Sequence, residues 1–163
     1  MAIARSDYVG CVGAVSVIHK EVDATYDNHE NYHKWPGPKH FDGMIYMRSE
    51  VSFRQVTDGT SKTYMVGEKS MNIDAYEGGT ATDHGDDEGY LTGHNGDNVR
   101  SSAFPAIPDA AGSNPYENWG SAHPEVFNMM FADGSARPLT YDIDPVTHRG
   151  LGTRAGSEVT SDY

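Results

Sequence analysis

Two groups of residues in this chain have types and spacings that could do chemistry. The first is His29-Glu30-Asn31-Tyr32-His33. On a helix, histidines four apart share one face and can bind Zn²⁺, while Glu30 could polarise a bound water for peptide hydrolysis. The flanks favour a polar surface loop instead. Thr25-Tyr26-Asp27-Asn28 precedes the motif and Lys34-Trp35-Pro36 follows it, so Pro36 would end a helix one turn after His33. His29 and His33 are therefore kept as the ligands of a rival, zinc-dependent hydrolase.

The second group is acidic. Asp83, Asp86, Asp87, Glu88 and Asp97 put five carboxylates within fifteen residues, with Asn95 and several glycines among them. Hard oxygen ligands on a flexible loop suit Ca²⁺, and these five are its candidate ligands. EF-hand spacing is not met, because Gly85 falls where a ligand is needed and Glu88 where the obligatory glycine belongs. The simpler alternative is a solvated acidic loop with Arg100 pairing one carboxylate.

Other catalytic patterns are weak. The chain has no Gly-x-Ser-x-Gly elbow, no phosphate-binding glycine loop followed by Lys-Ser/Thr, and no Cys-x-x-Cys. Ser121 and His123 lie two apart with no acidic third member evident. Cys11 is the single cysteine, so no internal disulfide forms, and a lone cysteine among β-formers is expected to be buried. His123 and Asp133 look like a pair, but ten extended steps of about 3.3 Å separate them by roughly 30 Å. That spacing predicts an anchor at one end of a strand and a turn cap at the other.

The elements that must position these residues are mostly extended. Asp7 to Ile18 carries Tyr8, Val9, Val12, Val15, Val17 and Ile18, interrupted by Gly10 and Gly13. Residues 19 to 42 read as a histidine-rich surface excursion. Met44 to Met47 and Thr63 to Glu68 are expected strands, joined through a connection ending at Asp58-Gly59. Residues 72 to 98 form the acidic loop, and 101 to 118 a connection rich in Pro, Gly and Ala. Val126 to Ala132 and Ala136 to Ile143 make a hairpin across Asp133-Gly134, with Leu139, Tyr141 and Ile143 on one face. Asp144-Pro145 then starts a short helix, Asp capping it and Val146 and Leu151 forming its apolar edge. Residues 157 to 163 are expected to fray.

Three sequence blocks carry a resemblance. Trp119-Gly120-Ser121, His123 followed nine residues later by Asp133-Gly134, Ile143-Asp144-Pro145 and Leu151-Gly152-Thr153-Arg154-Ala155-Gly156 form one. Asp58-Gly59-Thr60-Ser61-Lys62-Thr63 with Val66-Gly67-Glu68 forms another, and Gly85-Asp86-Asp87-Glu88-Gly89-Tyr90 with Asp97 and Arg100 the third. In this order, over about residues 43 to 160, they resemble a large planctomycete family of secreted, prepilin-like (type IV pseudopilin-like) proteins of unknown function. The resemblance implies a pseudopilin-like head outside the cytoplasm, and raises the case for calcium, which major pseudopilins often hold near the C-terminal sheet. Two positions depart from the family: Lys62 replaces Asn, and Glu125-Val126 replaces Gly-Gly. Members usually begin with a basic leader and a long apolar helix. Here the apolar stretch Cys11 to Ile18 is too short to span a bilayer. The expectation is a soluble head of a longer precursor, or a paralogue without the stem, touching a membrane only through a stem missing from this chain.

Composition agrees with this picture. A length of 163 residues suits a single domain, 1–163, with enough chain to bury a core. With 37% hydrophobic residues, 18 Gly and 8 Pro, turns and loops should outweigh helix. A net charge of −12 argues against nucleic acid and anionic membranes as partners, since both would repel it. The expected fold is α+β, an antiparallel sheet with long loop insertions and a short C-terminal helix. The expected function is non-enzymatic: a cell-surface or filament protein that self-associates or binds other surface proteins. A carbohydrate- or ligand-binding module, suggested by the aromatic loops at Tyr26, Tyr32, Trp35, Tyr116 and Trp119, is a lesser alternative.

Overall fold

A computed structural model describes residues 4–15, 40–77 and 83–157. Its centre is a five-stranded sheet of β1 (Tyr8–Gly13), β2 (Tyr64–Glu68), β3 (Val99–Ser101), β4 (Val126–Phe131) and β5 (Ala136–Thr140). Their order across the sheet is β3-β1-β2-β4-β5. All pairs are antiparallel except β1 with β3. Among the described residues one helix, α1 (Pro145–Gly152), follows β5, and single 3₁₀ turns occur at Phe53–Gln55, Thr60–Lys62 and Ile73–Ala75. The α+β architecture expected from the sequence is the one observed.

Alternation explains the sheet. On β4, Phe127, Met129 and Phe131 are fully buried while Val126, Asn128 and Met130 are half-buried. The buried set packs with Val9, Cys11, Tyr64, Trp119, Leu139 and Leu151 into the main core. Tyr64 sits at its centre, edge-on to Trp119 and Phe131. Aromatics of this size bury about 150–250 Å² each, worth roughly 4–6 kcal/mol at about 25 cal/mol per Å². A smaller core on the opposite face joins Val12, Phe41, Tyr46 and Val99.

The hairpin turns as expected. Gly134 has φ 84°, which glycine adopts without strain, and its N–H donates to Phe131 O at 2.9 Å. Phe131 N donates to Ser135 O at 2.8 Å, so a type I turn closes through a glycine bulge. Asp144 caps α1 by accepting from Thr147 N at 2.8 Å.

Three local expectations are corrected. Met44 to Met47 is not a strand. Its first residues fold as a turn against β1, with Gly43 N donating to Val12 O and both Met44 N and Ile45 N to Cys11 O. A Cβ on Gly43 would lie 2.2 Å from Gly13 N, so only glycine permits this approach. Met44 and Tyr46 enter different clusters, which a flat strand would not achieve. Of the expected apolar edge of α1, Leu151 is buried but Val146 is 68% exposed; Thr147 and His148 face inward beside Leu151. Finally, β3 lies where only loop was expected, because three residues are too few to show a period.

Candidate functional site

The acidic loop folds around two buried cations of the chain itself. Lys69 follows β2, where it pairs with Trp119, and its side chain is 1% exposed. Its Nζ donates to Gly85 O at 2.8 Å, Asp86 Oδ1 at 2.8 Å and Asp97 O at 3.2 Å, one acceptor for each of its protons. Arg100, fully buried on β3, donates Nε to Asn118 O at 3.0 Å and its terminal nitrogens to Gly96 O, Val99 O, Ser70 O and Gly85 O. Gly85 makes room for it, since a Cβ there would lie 2.5 Å from Nη2 of Arg100.

The carboxylates divide accordingly. Asp83 is buried and accepts from Asn72 N at 2.6 Å and Gly85 N at 2.9 Å. Asp97, also buried, accepts from Glu88 N at 2.7 Å. Asp86 holds Lys69 on one oxygen and Arg5, 3.2 Å away, on the other. Asp87 is more exposed and lies 3.5 Å from His84, and Glu88 accepts from Asn95 at 2.6 Å. Burial pushes the Lys69 ammonium down, opposed by Asp86, and the Arg100 guanidinium down to about 10, opposed by Asp83 and Asp97. It pushes the Asp97 carboxyl up, against the pull of the Glu88 amide and Lys69. The structure thus gathers Asp83, Asp86 and Asp97 near the two cations: Asp86 touches Lys69 directly, while Asp83 and Asp97 hold backbone amides and act on the cations at longer range. Among the described residues, no group of three or more His, Cys, Asp or Glu side chains is arranged to hold a metal ion. His29, Glu30 and His33 lie outside the described residues.

Residues that stood out as motifs bind one another. His123 Nε2 lies 3.8 Å from Glu68 Oε1, and Glu68 accepts from both the backbone and side chain of Asn128. Asp133 accepts from Ser135 N at 2.9 Å and Ser135 Oγ at 2.7 Å, which holds its carboxyl below the usual range. Asp58 accepts from Gly156 N at 2.7 Å and Ser157 N at 3.0 Å, tying the first block to the last. Arg154 donates to Phe41 O and Gly43 O and lies over the Tyr46 ring. His123 and Asp133 therefore have separate partners, as anchor and turn cap.

Two buried titratable groups remain. Cys11 is fully buried, its thiol 3.6 Å from Gly152 O and pushed up to about 12 by burial. A neutral, enclosed thiol is a poor nucleophile. His148 on α1 shares a 3.2 Å hydrogen bond between Nδ1 and Tyr64 OH, and burial pushes it down to about 4. It also lines an apolar cleft of about 270 Å³ between residues 102–106 and Tyr141, Ile143 and Pro145. Ser102, beside it, donates to Gly13 O and Arg149 O, so its hydroxyl is engaged structurally.

Sequence reasoning anticipated the acidic loop but missed Lys69, and the carboxylate expected to pair with Arg100 is not its partner: Arg100 hydrogen-bonds backbone carbonyls instead. A signal was present: Lys69 is the last lysine in the chain and directly precedes the acidic region. A buried charge among five carboxylates needs a counter-charge, and Lys69 is the nearest lysine or arginine on the N-terminal side of the cluster.

Fold and site together define an α+β sheet domain with Lys69 and Arg100 buried against its acidic loop. The chain belongs to the family described as "Protein of unknown function (DUF1559)", whose model matches residues 19–146. That match begins in the histidine-rich segment, earlier than the resembling blocks, and ends just inside α1. No curated protein and no solved structure matches the chain.

Proposed function

We propose that this domain is a non-enzymatic structural or interaction unit outside the cytoplasm, the head of a pilin-like surface or filament subunit. The observation that carries this is the mutual engagement of the motif residues. Asp58 holds the Gly156 and Ser157 amides, Arg154 clamps the carbonyls of Phe41 and Gly43, and Glu68 fixes Asn128 beside His123. Catalytic groups converge on a reacting position and leave a nucleophile or base open to it. These close the ends of strands and loops instead.

The proposal replaces calcium with Lys69 and Arg100 as the charges that order the acidic loop. Three oxygens around the Lys69 ammonium supply the contacts a cation would otherwise need. The rival zinc hydrolase draws only on the letters of His29-Glu30-x-x-His33. One set of measurements separates the two. The purified, chelator-washed chain is analysed for metal, assayed against peptides, and followed by ultracentrifugation and electron microscopy as concentration rises. A structural head gives no stoichiometric zinc, no peptidase activity and concentration-dependent assembly. Stoichiometric zinc with peptidase activity that His29→Ala abolishes overturns it.

A further inference from the structure

Among the described residues, strand β5 is the outermost strand of the sheet on its side. Because Phe131 and Ser135 form a bonded pair at the turn, antiparallel alternation fixes the rest of the ladder. Met129 with Arg137 and Phe127 with Leu139 are bonded pairs; Met130 with Ala136, Asn128 with Pro138 and Val126 with Thr140 are not. The amides and carbonyls of Arg137 and Leu139 therefore face β4, and those of Ala136, Pro138 and Thr140 face outward. Pro138 is central among these three, and it has no N–H to offer.

We infer that the β5 edge is a latent pairing surface for a second copy of this chain, held closed by Pro138. The edge is self-complementary. In an antiparallel pair centred on residue 138, Ala136 lies opposite Thr140 of the second copy, Thr140 opposite Ala136, and 138 opposite itself, with two hydrogen bonds at each pairing; Thr140 O, which already accepts from Ile143 N at 3.3 Å, contributes its second lone pair. Proline removes both central bonds and sets two rings against each other. Ala136, Pro138 and Thr140 are exposed, small and uncharged, so no charge repulsion guards the strand. The strand contains no lysine, and its arginine guanidinium lies over the Phe131 ring at 4.4 Å. Proline is left as the blocking element. The inference stands on register alone and is independent of the filament proposal, whose assembly would use other surfaces.

Pro138→Thr tests it, since the hairpin uses no amide at this position and the fold should survive. Sedimentation of both proteins over the same concentration series should show about tenfold or stronger self-association in the variant. Hydrogen exchange should show new protection at Ala136 and Thr140, and adding Thr140→Pro should return the association and the Ala136 protection to the parent values. Unchanged association in Pro138→Thr overturns the inference. So does concentration-dependent protection of the Ala136 and Thr140 amides in the unmodified protein, a reading that needs no variant and also decides the matter if the variant does not fold.

Discussion

Replacing Lys69 by Met keeps the length of the side chain and removes its charge, which isolates what the ammonium does. In the folded protein that change strands Asp97 O and one oxygen of Asp86 without this donor and leaves Gly85 O only the 3.4 Å contact from Arg100. Removing one partner of a buried ion pair costs about 3–5 kcal/mol, because the other is left uncompensated. Asp86 is 13% exposed and keeps Arg5 at 3.2 Å, so the lower end, about 3 kcal/mol, is expected. For a domain of this length, 1 kcal/mol moves Tm by about 2–4 °C, which predicts a fall of about 6–12 °C. Thermal and urea unfolding of the parent and Lys69→Met proteins measure it, with exposed Glu88→Gln as the control, expected within about 0.5 kcal/mol of the parent. Calcium adds the second arm. Millimolar CaCl₂ or a chelator should leave the Tm of the unmodified protein unchanged. A Lys69→Met variant within about 1 kcal/mol of the parent would refute internal neutralisation. A calcium-dependent rise of several degrees in the unmodified protein would refute it too, by mass action on a bound ion.

Three further outcomes are expected. His148 is pushed down to about 4 from 6.5, so the unfolded chain takes up its proton first; its contribution is intact above pH 6.5 and falls as pH drops toward 4, by about 3 kcal/mol at pH 4. Denaturant titrations at pH 7, 5.5 and 4 should lose that part of the acid slope in His148→Phe, and an identical slope would disprove the assignment. Cys11, pushed up from 9.0 to about 12, should resist alkylation at pH 8 in the folded protein and react fully in urea; its contribution to stability is complete below pH 9 and lost as pH rises toward 12. Gly152→Ala would place a Cβ 1.8 Å from Ser102 Oγ and should cost about 1–3 kcal/mol. Combined with Ser102→Gly it should cost less than the two changes summed, and strict additivity in that cycle would show that the clash is relieved elsewhere.

What could be read from the residues follows how local each feature is. The hairpin across Asp133-Gly134 and the Asp144-Pro145 helix start both depend on neighbours a few positions apart, and both formed where the turn and cap chemistry placed them. Strand β2 showed itself by its β-formers, as did β1, which ends at Gly13 with φ 114°; Ala14 and Val15 are no longer strand, and residues 16–18 of the expected segment lie outside the described residues. Met44 to Met47 misled because four apolar residues fit a strand or a folded-back turn equally well, and contact with β1 decided between them. On α1 the expected Leu151 is buried but Val146 is exposed, because the helix packs on the face that Thr147, His148 and Leu151 share.

The acidic loop shows the same boundary at the level of the site. By itself, the sequence determined that five carboxylates would crowd one glycine-rich segment, and that such a segment needs positive charge nearby. Which charge answers that need is a tertiary matter, because Lys69 comes from the end of β2 and Arg100 from β3, strands on opposite sides of β1. Likewise the sequence put a proline in the last strand, but only the pairing of β5 with β4 decided that its missing N–H points outward and not into the ladder. Local chemistry fixes turns, caps and strand periods through short-range sterics. The identity of a buried group's partner depends on long-range packing, to which no single stretch of chain holds the key.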